Sequence, residues 1–389
     1  MKRLFATLLV VALVIGCVGV FAGCDTTNEF KVGVIHIGEP AHGGYTLAHD
    51  YGIVTMQKEL GLKESQIIRK LNVSDNDNSA IKTAIEECIS EGAKIIFATS
   101  YGYMDVCEEL SEKYPDIIFS HGTGYKSNGT NFNNYFGRIY QARYLSGIAA
   151  GLKTTTNKIG YVSAYGTELA ETCSGISAFA MGVASVNPEA KVYVKTLNSW
   201  FDPTNETAHA EALIQAGCDV IAQHCDTPNP QKAAEKAGVF GIGYNTDMAE
   251  EAPDATITST IWNWGVYYTA ATKAAMDGKF AEFGNYYEGI DKGLVGVTDV
   301  NTAVAAEGTA EKINAVKALL VTGEWDVFSG VALSFDADGK IIKTDRPLEI
   351  SYKDGDAIKT VVVEAGNNRV SDAIITGSMS WYYSNVSTL

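Results

Sequence analysis

The sequence predicts an α/β protein of two similar lobes, each a parallel sheet flanked by helices, and three observations carry the prediction. Short β-rich runs alternate with helical stretches in two successive series. The second series copies the punctuation of the first. The chain is also too long for a single hydrophobic core, since cores usually divide beyond about 250–300 residues.

In the first series the runs Lys31-Ile37, Gln66-Asn72, Lys94-Thr99 and Ile117-Ser120 alternate with helical stretches near Leu47-Glu59, Ala80-Glu91 and Asp105-Lys113. Such alternation implies parallel strands covered by helices on both faces. The second series begins at Lys158: Ile159-Ala164, a helix near Ala170-Val186, Lys191-Asn198, a helix near Asn205-Ala216, then Asp219-His224 and Val239-Asn245. Glu91-Gly92-Ala93-Lys94-Ile95-Ile96 and Ala216-Gly217-Cys218-Asp219-Val220-Ile221 each end a helix and start a strand. Gly92 and Gly217 therefore read as the residues that stop their helices in the left-handed region. The expected division is residues 30–150 plus about 261–300 in the first lobe and 151–260 plus about 301–389 in the second.

Ahead of the lobes lie Lys2 and Arg3, an apolar run from Leu4 to Val20, and Phe21-Ala22-Gly23-Cys24. This order reads as a secretory signal over 1–23. Small residues directly before a cysteine are similar to a lipobox, so Cys24 is expected to carry diacylglycerol and residues 24–29 to act as a tether. The expected location is the extracytoplasmic face of the cell membrane. Loss of Lys2 and Arg3 with no acid takes the formal charge from −16 to −18, which disfavours nucleic acid as a partner. Beyond Cys17 and Cys24 the cysteines are Cys88, Cys107, Cys173, Cys218 and Cys225, an odd number that argues against a full disulfide framework and for buried thiols.

Ligands of open parallel sheets bind beyond the carboxyl ends of the strands. Those ends are aromatic here: His42-Gly43-Gly44-Tyr45, Ser100-Tyr101-Gly102-Tyr103, Ser199-Trp200-Phe201-Asp202, Gln223-His224-Cys225-Asp226 and Gly243-Tyr244-Asn245-Thr246-Asp247. The run Thr258-Ser259-Thr260-Ile261-Trp262-Asn263-Trp264 is expected to return the chain to the first lobe. Aromatic faces beside amides and carboxylates suit a flat heterocycle with polar edges, stacked on its faces and hydrogen-bonded at its rim. The candidate ligand residues are Tyr45, His49, Ser100, Tyr101, Trp200, Phe201, Asp202, Gln223, Asp226, Asn245, Asp247 and Trp262. Arg138 and Arg143 are expected to pair with carboxylates near the hinge.

Several segments together resemble the basic membrane protein family of ABC-transporter lipoproteins, which includes purine nucleoside receptors. They are Gly44-Tyr45-Thr46-Leu47-Ala48-His49-Asp50, the stretch from Phe136 to Gly147, Asn198-Ser199-Trp200-Phe201-Asp202-Pro203, Asp219-Val220-Ile221-Ala222-Gln223-His224, Gly243-Tyr244-Asn245-Thr246-Asp247-Met248 and Trp262-Asn263-Trp264-Gly265. The resemblance implies a type I periplasmic-binding-protein fold that closes around its ligand, with permease and ATPase subunits as partners, no cofactor, and a monomeric receptor. It also implies that Tyr45 and either Trp200 or Phe201 sandwich a purine. Where nucleoside-binding members hold ribose with an acid and a lysine, this chain has Asn245 and Trp262. That departure favours a free base such as adenine, guanine or hypoxanthine over a nucleoside.

Two other classes compete. A zinc site would draw on His36, His42, His121, His224 and Asp226, whose spacings match no compact ligand motif. An enzyme would use Cys225 with His224 and Asp226, yet neighbours on a strand point to opposite faces. The chain also lacks a Gly-x-Ser-x-Gly elbow, a phosphate loop and a His-Glu-x-x-His helix. The expectation is a binding protein, not an enzyme.

Overall fold

The computed structural model describes residues 29–389, of which Lys31–Leu389 form one compact unit. The signal over 1–23 and Cys24 lie outside the described residues. No helix among those described is long and apolar enough to cross a membrane.

The first series folds as β1 (Lys31–Ile35), α1 (Gly44–Leu60), β2 (Ile67–Lys70), α2 (Asn78–Ser90), β3 (Ala93–Ala98), α3 (Met104–Lys113), β4 (Ile118–Gly122) and β5 (Phe132–Gly137). Its strands run parallel in the order β5-β4-β3-β1-β2. Buried on both faces, β3 reads as an almost unbroken apolar run. Ile81, Ile85 and Cys88 of α2 pack on Ile96 and Phe119 of the sheet, and a Cβ at Gly33 would strike Ile96. Cys88, Cys107, Cys173, Cys218 and Cys225 are free and buried, as their odd number suggested.

Helix α4 (Ile139–Lys153) carries the chain across to the second series: β6 (Lys158–Ser163), α5 (Ala170–Val186), β7 (Lys191–Thr196), α6 (Pro203–Gln215), β8 (Val220–His224), α7 (Asn229–Ala237), β9 (Phe240–Asn245) and β10 (Thr256–Trp262). These strands are parallel in the order β10-β9-β8-β6-β7. Helices α4 and α5 pack backbone to backbone because a Cβ at Gly147 would lie 2.1 Å from the Phe179 carbonyl, and one at Gly182 would lie 2.1 Å from that of Tyr144. Gly92 and Gly217 follow their helices with φ of 99° and 93°, the left-handed turn their positions predicted.

After β10 the chain returns. Helix α8 (Trp264–Met276) lies against α1, a Cβ at Gly52 meeting the Trp264 backbone, and β11 (Tyr286–Glu288) extends the first sheet beside β5. The return is shorter than expected: β12 (Val295–Val297) already pairs antiparallel with β10 of the second sheet, so the first-lobe segment does not run to about residue 300. Beyond it come α9 (Thr309–Thr322), β13 (Ser329–Phe335), β14 (Ile341–Asp345), β15 (Leu348–Asp354), β16 (Ala357–Val363), β17 (Gly366–Arg369) and α10 (Asp372–Gly377). Strand β18 (Val386–Thr388) then pairs with β7 and ties the C-terminal segment into the second sheet.

Candidate ligand-binding cleft

The lobes touch where the ends of β1 and β8 face each other. Gly44 is the contact point: a Cβ there would sit 1.5 Å from the Asp226 carbonyl oxygen, and one at Gly43 would meet Pro228. With φ of 59°, Gly44 also occupies backbone space that other residues avoid. The first turn of α1 is thereby pressed onto the loop after β8, and Tyr45 is carried to the cleft.

Tyr45 donates its hydroxyl to the Thr99 carbonyl and sets its edge on His49, ring centroids 4.3 Å apart. His49 in turn stacks on Trp264 at 4.5 Å and hydrogen-bonds the Tyr268 hydroxyl through Nδ1 at 2.6 Å. Trp264 stacks on Trp262 at 4.4 Å, and the Trp262 indole donates to the Tyr244 hydroxyl at 3.1 Å. The series continues in the second lobe, with His224 edge-on to Tyr244 at 4.8 Å, Trp200 edge-on to His224 at 5.6 Å, and Tyr165 edge-on to Trp200 at 5.7 Å. Rings from both lobes thus border one cleft, and the crossover Trp262-Asn263-Trp264 joins them.

Polar groups enter the same space. The Asp226 amide donates to the Trp200 carbonyl at 2.9 Å, and its carboxylate accepts from Asn245 Nδ2 at 3.2 Å. Burial drives the Asp226 carboxyl well above its usual range, with Glu206 adding to the rise. Asn245 ends β9 with φ of 70°, a conformation Asn tolerates better than most residues, and its Oδ1 is buried without a hydrogen-bond partner. Arg143, fully buried on α4, donates Nη1 to the Gln223 carbonyl at 2.6 Å and lies 3.9 Å over the Tyr244 ring, leaving Nε and Nη2 unpaired. Glu171, in the first turn of α5, stands 3.6 Å from His224 Nε2. Burial pushes its carboxyl up to about 7 against the opposing pull of Arg143. His224 is held well below its usual value by burial and by Arg143, so its ring is neutral. Unpaired buried polar atoms cost free energy unless something satisfies them, and here they share one cleft.

Of the candidate residues, the structure brings Tyr45, Trp200, Asp226, Asn245 and Trp262 together, with His49 behind Tyr45. Phe201 sits at the rim, half exposed and 6.0 Å from His42 across the cleft. The other five are engaged within their own lobes or exposed. Asp202 caps α6 by accepting from the Asn205 amide at 3.1 Å. Gln223 spends its amide on the carbonyls of Cys225 and Thr227 and accepts from Gln231. Ser100 donates to Asp75 at 2.7 Å, Asp247 accepts from the Ala249 amide, and Tyr101 is 55 % exposed with no ring partner among the described residues.

Arg138 does pair with carboxylates, Asp372 at 2.8 Å and Glu288 at 3.7 Å, whereas Arg143 has no carboxylate within ion-pair distance among the described residues. The sequence reading passed over Glu171 and Tyr165, and placed Tyr244 at its strand end without making it a candidate. Tyr165 lies two residues beyond β6 and Glu171 opens the helix that follows, so the strand-end rule, applied to β6, would have found both. Among the described residues no three of His, Cys, Asp and Glu converge as a metal site.

Residues 30–324 match the family model described as ABC transporter substrate-binding protein PnrA-like. A purine-binding protein of Brucella abortus is 34 % identical over 304 residues, covering 78 % of this chain and 84 % of that one. A Haloferax volcanii protein, named provisionally as an ABC transporter glucose-binding protein, is 33 % identical over 314 residues, covering 81 % and 77 %. An ABC transporter solute-binding protein of Aeropyrum pernix superposes with a TM-score of 0.63 over 79 % of this chain and 95 % of its own, at 16 % identity, a likeness of fold alone. The chain belongs to the Bmp family of PnrA-like ABC transporter substrate-binding proteins, extracytoplasmic receptors that deliver small solutes to a permease and its ATPase and are not enzymes.

Proposed function

We propose that this chain is a monomeric lipoprotein, anchored through Cys24, that binds a purine base such as adenine, guanine or hypoxanthine and presents it to an ABC importer. The observation that carries the reading is the cleft itself, bordered by Tyr45 from one lobe and Trp200 from the other, with Asp226, Asn245, Arg143 and Glu171 at its edge. Aromatic faces and unspent donors and acceptors are what a flat, polar-edged heterocycle needs. The name of the Brucella relative agrees with this.

Trp262 supports a base over a nucleoside. Its indole is buried, stacked on Trp264 and tied to Tyr244, at the position where the resemblance expects a lysine for ribose hydroxyls. A rigid indole in that place removes both the donor and the room.

Thermal unfolding of the fragment from Asp25 onward tests the reading, with adenine, guanine, hypoxanthine, adenosine, guanosine, glucose and Zn²⁺ at equal concentration. A ligand that binds only the folded state raises the midpoint. The expected result is a rise with a free base that exceeds the rise with its nucleoside. A larger rise with the nucleoside would overturn the argument from Asn245 and Trp262, and a rise with glucose alone would overturn the purine reading.

A further inference from the structure

We propose that Glu171 is the residue by which the cleft tells 6-amino from 6-oxo purines, donating as a carboxylic acid to a ring nitrogen of adenine and accepting as a carboxylate from the ring N–H of hypoxanthine or guanine. The inference rests on the purine reading and specifies its selectivity.

Three features single out Glu171. Its carboxyl receives no hydrogen bond from any described residue; only its backbone carbonyl is used, by Ser174. Its side chain keeps 20 % of its surface accessible while its neighbour His224 is fully enclosed. Its charge is felt on both sides, raising the Tyr45 hydroxyl in the first lobe and those of Tyr161 and Tyr244 in the second. His224 cannot supply the proton: its ring is neutral and packed on Gly175, where a Cβ would meet it at 2.9 Å.

The groups facing Glu171 set the balance. Arg143 on α4 favours the carboxylate, and a place in the first turn of α5 favours it too. Burial opposes both and wins, which leaves acid and carboxylate close in free energy near neutral pH. The remaining neighbours are Asp226 after β8, Tyr161 on β6, Tyr244 on β9, Tyr45 on α1 and Tyr287 on β11, every one of them made harder to ionise by Glu171. A ligand edge can therefore choose the protonation state. Adenine offers an acceptor nitrogen where hypoxanthine offers an N–H, in nearly the same outline, so a single carboxyl that changes role discriminates between them without any change in shape.

The experiment is calorimetric titration of the whole soluble protein with adenine and with hypoxanthine between about pH 5.5 and about pH 8, in buffers of different ionisation enthalpy. Adenine is expected to bind with proton uptake at the upper end and hypoxanthine with proton release at the lower end. The adenine-to-hypoxanthine affinity ratio should fall roughly ten-fold or more across the range. In Glu171→Gln the ratio should be flat and the proton exchange lost. A wild-type ratio that does not move with pH, or a slope that survives in Glu171→Gln and so belongs to Asp226, overturns the assignment while leaving the purine reading intact. Failure of both bases to bind at any pH overturns the purine reading and this inference with it. The proton count is read on the wild-type chain and needs no variant to fold.

Discussion

Trp200 and Phe201 are neighbours in sequence with opposite prospects. Trp200 is held by the Asp226 amide and by the His224 and Tyr165 rings, whereas Phe201 is half exposed at the rim. Loss of one stacking ring costs roughly 1–3 kcal/mol per base, so Trp200→Ala should weaken purine binding by about 5- to 150-fold. Phe201→Ala should change it by less than about three-fold. Titration calorimetry separates the two, and equal losses would place both rings on the ligand. The aromatic candidates were legible because a large ring at a strand end has few other uses. The polar ones were not: the sequence does not say whether the amide of Gln223 or the carboxylate of Asp202 is spent on its own loop, and both are.

At the scale of elements the sequence was most informative, because helix stops and buried parallel strands are local matters. Gly92 and Gly217 turn their chains at positive φ, and a Cβ at either would meet nothing closer than 3.5 Å. The cost of substitution is therefore conformational and not steric. Gly92→Ala and Gly217→Ala should each lower stability by about 1 kcal/mol, seen as a lower urea midpoint with an unchanged slope. A change well below that in either would show that the helix end has another way to turn. The C-terminal strands were harder to read. β14 to β16 pair in short antiparallel stretches with few buried positions, so burial of an apolar face marks them weakly.

Across the whole molecule, the contact at Gly44 decides how near the lobes come. Gly44→Ala should hold them apart, because its Cβ and the Asp226 carbonyl would claim the same place. The expected outcome is weaker purine binding and, in solution scattering, loss of the compaction that ligand causes in the parent protein. Unaltered compaction would move the closing contact elsewhere. Stability should also depend on pH through Glu171. Its folded value of about 7 lies above the ordinary glutamate value of 4.5, so the folded state keeps a proton that the unfolded state has lost between those limits. The stabilisation from that proton is complete below 4.5 and disappears as pH rises through 7. The unfolding midpoint of unliganded Glu171→Gln should therefore gain on the wild type by a few degrees between about pH 5 and about pH 8. A constant difference would mean that the carboxyl is already ionised in the fold.

The sequence by itself determined the two parallel-sheet lobes, their helix stops, the buried thiols and the aromatic character of the strand ends, since each follows from period, propensity or apolarity within a dozen residues. Tertiary structure alone decided which polar side chains the cleft keeps. Glu171, Arg143 and His224 stand on three elements far apart in the chain, and only the packing of α4 and α5 through Gly147, Gly175 and Gly182 brings them to one place. Their charge states are set by that burial, which no stretch of sequence carries.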